Sequence, residues 1–212
     1  MSSWTDDLNT KEARALGRLE SPALIQAFLD AIPYSTDPIY RCPRRVLRDR
    51  KAHCFDGAVF AAAALRRLGH PPLILDMLPE NDDDHVLALY RQRGRWGAVA
   101  KSNFTGLRLR EPVYRDLREL VMSYFEDFYN SAYERTLRGY TLPVNLEVLD
   151  LLNWMARDEA MDVIAGRLDR ARKFALITPE MAAALTRMDK RSYDAGMMGT
   201  NPAGLYKPPR KK

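Results

Sequence analysis

Cysteine and histidine are scarce in this chain: two and three among 212 residues. That excludes a disulfide framework and the Cys/His sets of zinc fingers, and two lone thiols, Cys42 and Cys54, suit a reducing cytoplasm. No apolar run approaches the ~18 residues of a membrane span. The start Met1-Ser2-Ser3-Trp4-Thr5-Asp6-Asp7 lacks a basic segment followed by an apolar one, so the expectation is a soluble protein with no membrane partner. A strong charge bias is missing too. The formal net charge is +5, and part of it sits in Lys207-Pro208-Pro209-Arg210-Lys211-Lys212. A nucleic-acid binder concentrates more positive charge on one face, so a solvated basic surface is the favoured reading and nucleic acid is not an expected partner. Hydrophobic residues at 46% are enough for a core, and no feature speaks to oligomeric state.

What is present is organised around Lys51 to Gly69. An alanine-rich helical run follows Cys54, with no proline until Pro71. Val59, Ala62, Ala63, Leu65 and Leu68 give it a broad apolar surface, and Gly69 stands where a left-handed C-terminal cap belongs. A thiol at the start of such a helix feels the positive end of the helix dipole, which favours thiolate, and Lys51, His53 and upstream arginines push the same way. Cys54 is the candidate nucleophile. A buried cysteine that merely fills a core is the plainer alternative. Cys42, followed by Pro43, reads as structural.

Upstream, a short polar helix is expected over 10–20, then Ser21-Pro22 as N-cap and first helical position. Leu24, Ile25, Phe28, Leu29 and Ile32 share one face of that second helix, and Pro43 opens a third. Downstream the pattern turns to strands: Leu73–Leu78, His85–Arg91, and Arg95–Lys101 returning through the Arg93-Gly94 turn. Past Glu111-Pro112 it turns helical again, over 117–128, 145–157, 161–168 and 179–188. From Ser192 glycine, methionine and proline accumulate, which reads as a disordered tail. The expected organisation is an α+β core over 1–115, a helical C-terminal extension over 116–190 packed on the core, and a flexible basic tail over 191–212.

A nucleophilic thiol needs a base, and the base an orienting partner. His53 adjoins Cys54, but neighbouring side chains entering a helix diverge. His70 lies past the far end of the helix, roughly 24 Å away by helical rise. His85 follows a chain reversal that can return it to the helix start, and is the candidate base. Asp82-Asp83-Asp84 beside His85 lacks the ligand spacing of a calcium loop, and a solvated acidic turn is favoured over a metal site.

The succession of a cysteine opening a buried helix, Leu65-Arg66-Arg67-Leu68-Gly69-His70-Pro71-Pro72, an apolar strand, a histidine strand and Gly94-Arg95-Trp96 resembles the core of transglutaminase-like proteins, of the stand-alone bacterial type. That superfamily is related to papain-like thiol enzymes. The resemblance covers roughly 42–106. It implies an antiparallel sheet packed on the Cys54 helix, and Cys-His chemistry on a peptide or protein amide without a cofactor. Peptidase or amidase action comes first and acyl transfer to an amine second. Cys54 would be nucleophile and His85 base. The family's orienting aspartate usually lies four residues after the tryptophan matched by Trp96, and here that position is Ala100. Asn103, whose amide oxygen could accept a histidine N–H, is the first substitute. Ser102 and the aspartates of 82–84 remain open, as does a catalytically silent interaction module that keeps the fold.

Overall fold

The structure, a computed structural model, describes Trp4, Thr5 and residues 8–207. Four helices precede the first strand: α1 (Thr10–Gly17), α2 (Pro22–Ala31), α3 (Pro43–Asp49) and α4 (Cys54–Arg67). Local chemistry sets their ends. The Asn9 side chain accepts from Lys11 and Glu12 N–H, and Ser21 Oγ accepts from Leu24 N–H with proline next in line. Beyond α4, Gly69 takes the left-handed conformation, φ 87°. From Phe55 to Leu65 every residue of α4 is buried, which its run of small and apolar side chains allows.

Next come β1 (Leu73–Pro79), β2 (His85–Gln92) and β3 (Arg95–Val99), paired antiparallel in that order, then β4 (Arg110–Tyr114) along β3. The β2–β3 turn uses Arg93 and Gly94, both at positive φ, as a tight two-residue hairpin requires. Side-chain alternation splits the interior into two cores. Val86, Ala88, Tyr90 and Val99 face α4, while Leu87, Leu89, Ala98 and Ala100 face the other way, onto Leu120, Val121, Tyr124, Phe125 and Phe128. Antiparallel sheet with packed helices makes the chain α+β.

The region expected to be a helical extension is mixed. It contains α5 (Leu117–Met122), β5 (Leu137–Thr141), β6 (Val144–Asn145), α6 (Glu159–Asp169), β7 (Lys173–Ala175) and α7 (Pro179–Ala183), with 3-10 turns at Phe125–Asp127 and Leu146–Leu152. β5 and β6 pair with β1 and β7 pairs with β5, so the sheet order is β4-β3-β2-β1-β5-β7. A boundary at residue 115 therefore runs through one sheet. The region read as a disordered tail also differs within its described part. It holds α8 (Lys190–Gly196) and a 3-10 turn (Pro202–Gly204), and the basic run 208–212 lies outside the described residues.

Two side chains fasten α2 to the end of β3. Gln26 exchanges two hydrogen bonds with the Ala100 main chain, at 2.9 and 3.1 Å. Lys101 is buried, and its ammonium donates to the carbonyls of Leu29 and Ile32 at 2.8 and 2.6 Å, where a helix C-terminus favours a cation. The strand end lies so close to α4 that a Cβ on Gly57 would stand 2.2 Å from Lys101 Cβ. The start of α4 is thus held against the place where β3 stops. No helix among the described residues is long and apolar enough to cross a membrane.

Candidate active site

Arg41 seats the Cys54 end of α4. It is 2% exposed, its Nε donates to Asp49 at 3.1 Å and its Nη1 to Ser35 at 3.0 Å, and it pairs with Asp37 and, at 3.7 Å, with Asp56. Asp56 closes a capping box on α4. His53 Nδ1 accepts from Phe55 and Asp56 N–H, and an Asp56 carboxylate oxygen accepts from His53 N–H. Arg41 N–H donates to the other oxygen at 2.8 Å. Burial raises Asp56 to about 7 against these stabilising donors. His53, half-buried beside Arg41, is lowered to about 4 by that burial and the Arg41 charge, and serves as the cap.

Cys54 is half-buried, and both thiols of the chain are free; Cys42 is buried at the start of α3. The Cys54 thiol donates to the Asp84 carbonyl at 3.7 Å, and its sulfur accepts from Val86 N–H and from the Tyr34 hydroxyl. Asp84 and Val86 flank His85, so the sulfur rests against the main chain on both sides of the candidate base. Burial pushes this thiol up to about 12 and the nearby Asp76 carboxyl adds to the rise, outweighing the donors on the sulfur. The thiolate that a helix start favours is not the resting form.

The His85 side chain belongs to the opposite core, edge-on to Phe128, and Nε2 lies 2.8 Å from the Leu107 carbonyl. A carbonyl only accepts, so Nε2 carries the proton and Nδ1 the lone pair. Burial lowers the ring to about 4, which keeps it neutral. The hydrogen-bond partner of the ring is therefore a backbone carbonyl. Asn103, the first choice from sequence, bonds elsewhere: Nδ2 donates to the Asn201 carbonyl at 2.9 Å and Oδ1 accepts from Asn201 N–H at 2.8 Å. Ser102 Oγ caps Phe104 N–H, and Asp82 accepts from Thr136. Leu107 escaped the sequence reading because a main-chain acceptor has no residue signature. Tyr34 escaped it because it lies in an irregular stretch, set by a parallel bridge to Ala52.

Asp76 pairs across from Val86 on β1, is 5% exposed, and its Oδ1 has no hydrogen-bond partner. Burial, then the charges of Asp84 and Asp169, raise it from 3.8 to about 8. The folded protein keeps a proton that the unfolded chain loses near pH 4. That stabilisation is complete below about pH 4 and is lost as pH rises through about 8. Asp76→Asn removes the penalty. Urea titrations should find it more stable than the parent by about 3 kcal/mol at pH 9, with little difference at pH 4.

No family model matches the sequence, and no curated protein does. Among solved structures, the chain is similar to Legionella pneumophila LapG at 15% identity and TM-score 0.35, over 44% of this chain and 60% of that one. Calcium-bound LapG matches at 16% and 0.34, over 44% and 61%. EGTA-treated LapG matches at 14% and 0.39, over 72% and 87%. The chain thus spans about three fifths of the first two structures.

Proposed function

We propose that this chain is a transglutaminase-like thiol enzyme acting on an amide bond of a peptide or protein, with Cys54 as nucleophile and His85 as base. The observation that carries the reading is the double attachment around His85. The Cys54 sulfur rests on the peptide groups before and after it, while Nε2–H is tied to Leu107 O, leaving Nδ1 to take a proton. In the reaction the His85 ring, which packs on the Phe128 side of β2 in the structure, must turn towards Cys54; the thiol proton then passes to Nδ1 as sulfur attacks the carbonyl carbon. The C–N bond then breaks, the imidazolium protonates the departing amine, and an acyl-thioester remains on Cys54. Water releases an acid; an amine takes the acyl group. Donors that now hold the sulfur, the Tyr34 hydroxyl among them, are available to the oxyanion.

At rest both partners are neutral, thiol and imidazole, so proton transfer accompanies substrate binding. Those same neutral states favour the second reading, a silent module of this fold. Intact-mass spectrometry of quenched mixtures with glutaminyl and backbone-amide peptides distinguishes them. The enzyme shows an acyl adduct on Cys54 that is absent from Cys54→Ala. A thiol that gives no adduct, and that alkylates only as pH approaches 12, identifies the silent module.

A further inference from the structure

Residues 198–206 pack on the loop that follows β3, and two cavities are lined in part by them. One, of about 480 Å³, is lined by Tyr34, Ser102 and Asn103 on the body side and by Met198, Gly199 and Asn201 of the segment. The other, of about 30 Å³, reaches His85 and is lined by the same Tyr34, Ser102 and Asn103, with Gly204 and Tyr206 opposite. Both cavities share Tyr34, Ser102 and Asn103 on the body side, and each takes part of its lining from the segment.

The segment is held by its main chain. The two bonds between the Asn103 amide and Asn201 pair both polar groups of a side-chain amide with the N–H and C=O of one residue. Such a pairing reads backbone and leaves the Asn201 side chain for its own turn, where it accepts from Ala203 N–H. Just before it, Thr105 N–H and Oγ1 each donate to the Gly196 carbonyl at 3.2 Å. Gly204 packs on Tyr34 and Asn103 so closely that a Cβ would meet them at 3.0 and 3.1 Å. Gln26 makes the same amide pairing with Ala100, but buried between α2 and β3. Asn103 is half-buried and lines both cavities, and its partner is a single strand of chain.

We infer that these two cavities are one groove that binds a peptide, with Asn103 as its main-chain clamp, and that residues 198–206 are its resident intramolecular ligand. An incoming peptide takes the segment's place, pairs one residue with the Asn103 amide, and lies past Tyr34 towards His85. Small residues suit it, since Gly199, Ala203 and Gly204 pass where the segment does. In naming the bound peptide a substrate, this rests on the thiol-enzyme reading above; the binding itself does not.

The test uses the full chain with Cys54→Ser, so that binding is read apart from thiol chemistry, and a fluorescein-labelled octapeptide of residues 199–206. Gly196→Trp places a side chain where Cβ would lie 1.7 Å from the Tyr129 hydroxyl oxygen, and Asn201→Pro removes the N–H that Asn103 accepts. In the double variant, hydrogen exchange over 198–206 should rise. The peptide should bind at least about ten-fold more tightly than to the parent, where a tethered occupant competes at millimolar effective concentration. Adding Asn103→Ala should lose about ten-fold of that affinity. The inference is overturned if the exposed groove fails to bind peptide at 1 mM, if Asn103→Ala leaves affinity unchanged, or if the segment stays protected in the double variant. Absence of an acyl adduct in the chain that keeps Cys54 would defeat the enzyme reading and leave these binding results standing.

Discussion

His85→Gln should lower kcat on the amide substrate that acylates Cys54 by about a thousand-fold, within the span measured for loss of a general base. Glutamine is the informative replacement. Its Nε2–H can keep the bond to the Leu107 carbonyl and its bulk can fill the place beside Phe128, but it has no basic nitrogen to match Nδ1. Folding stability should therefore change little while turnover collapses. The pH profile adds a sign. The imidazole, lowered to about 4, is neutral and able to accept a proton above that value, so the parent's rate should fall as pH drops through about 4. His85→Gln should lose that limb. Steady-state kinetics giving a kcat within three-fold of the parent would remove His85 from the reaction.

Arg41→Met should cost about 3–5 kcal/mol of folding stability, the range for breaking a buried ion pair from one side. The guanidinium is shared among Asp37, Asp49, Ser35 and Asp56, and Asp56 is fully buried. Methionine matches the stem but leaves the aspartates facing one another. Asp56, already raised by burial, would rise further and release His53 N–H from the cap on α4. Loss should appear in urea unfolding at pH 7 and shrink below about pH 4, where the carboxyls take protons. A variant within 1 kcal/mol of the parent would show that the cluster does not hold the helix start.

The sequence made the machinery of α4 legible because it depends on strong local signals. Ser21-Pro22, the alanine run after Cys54, Gly69 and the Arg93-Gly94 hairpin each act through a few neighbouring residues, and each is where the pattern put it. β5 and β7 were not legible. β7 is three residues long, and β5 carries Gly139, a poor strand former that is needed where the Phe174 carbonyl would lie 2.6 Å from a Cβ. The described part of the segment 191–212 departs from the expected tail for a related reason. Its glycine, methionine and proline promise no core, and it is ordered by hydrogen bonds from Asn103 and Thr105, a hundred residues away. The sequence marks Asn103 as a polar residue near the site, and its two hydrogen bonds fall on the main chain of Asn201. The histidine's partner could not be read at all, since Leu107 supplies only its carbonyl.

β1 is the middle of the sheet and gains its two neighbours at very different moments of synthesis. β2 follows within a few residues, but the other flank, Leu73–Pro79 facing β5 and β6, waits for residues 137–145 to leave the ribosome. Until then a run of Leu-Ile-Leu-Asp-Met-Leu presents unsatisfied backbone groups, the template on which nascent chains pair with one another. Asp76 falls in the middle of that run, and in water, uncovered, it is charged. The carboxylate that burdens the finished fold at alkaline pH is thus a gatekeeper for the unfinished one. Its Asn replacement, more stable once folded, is for that reason the version expected to aggregate during expression.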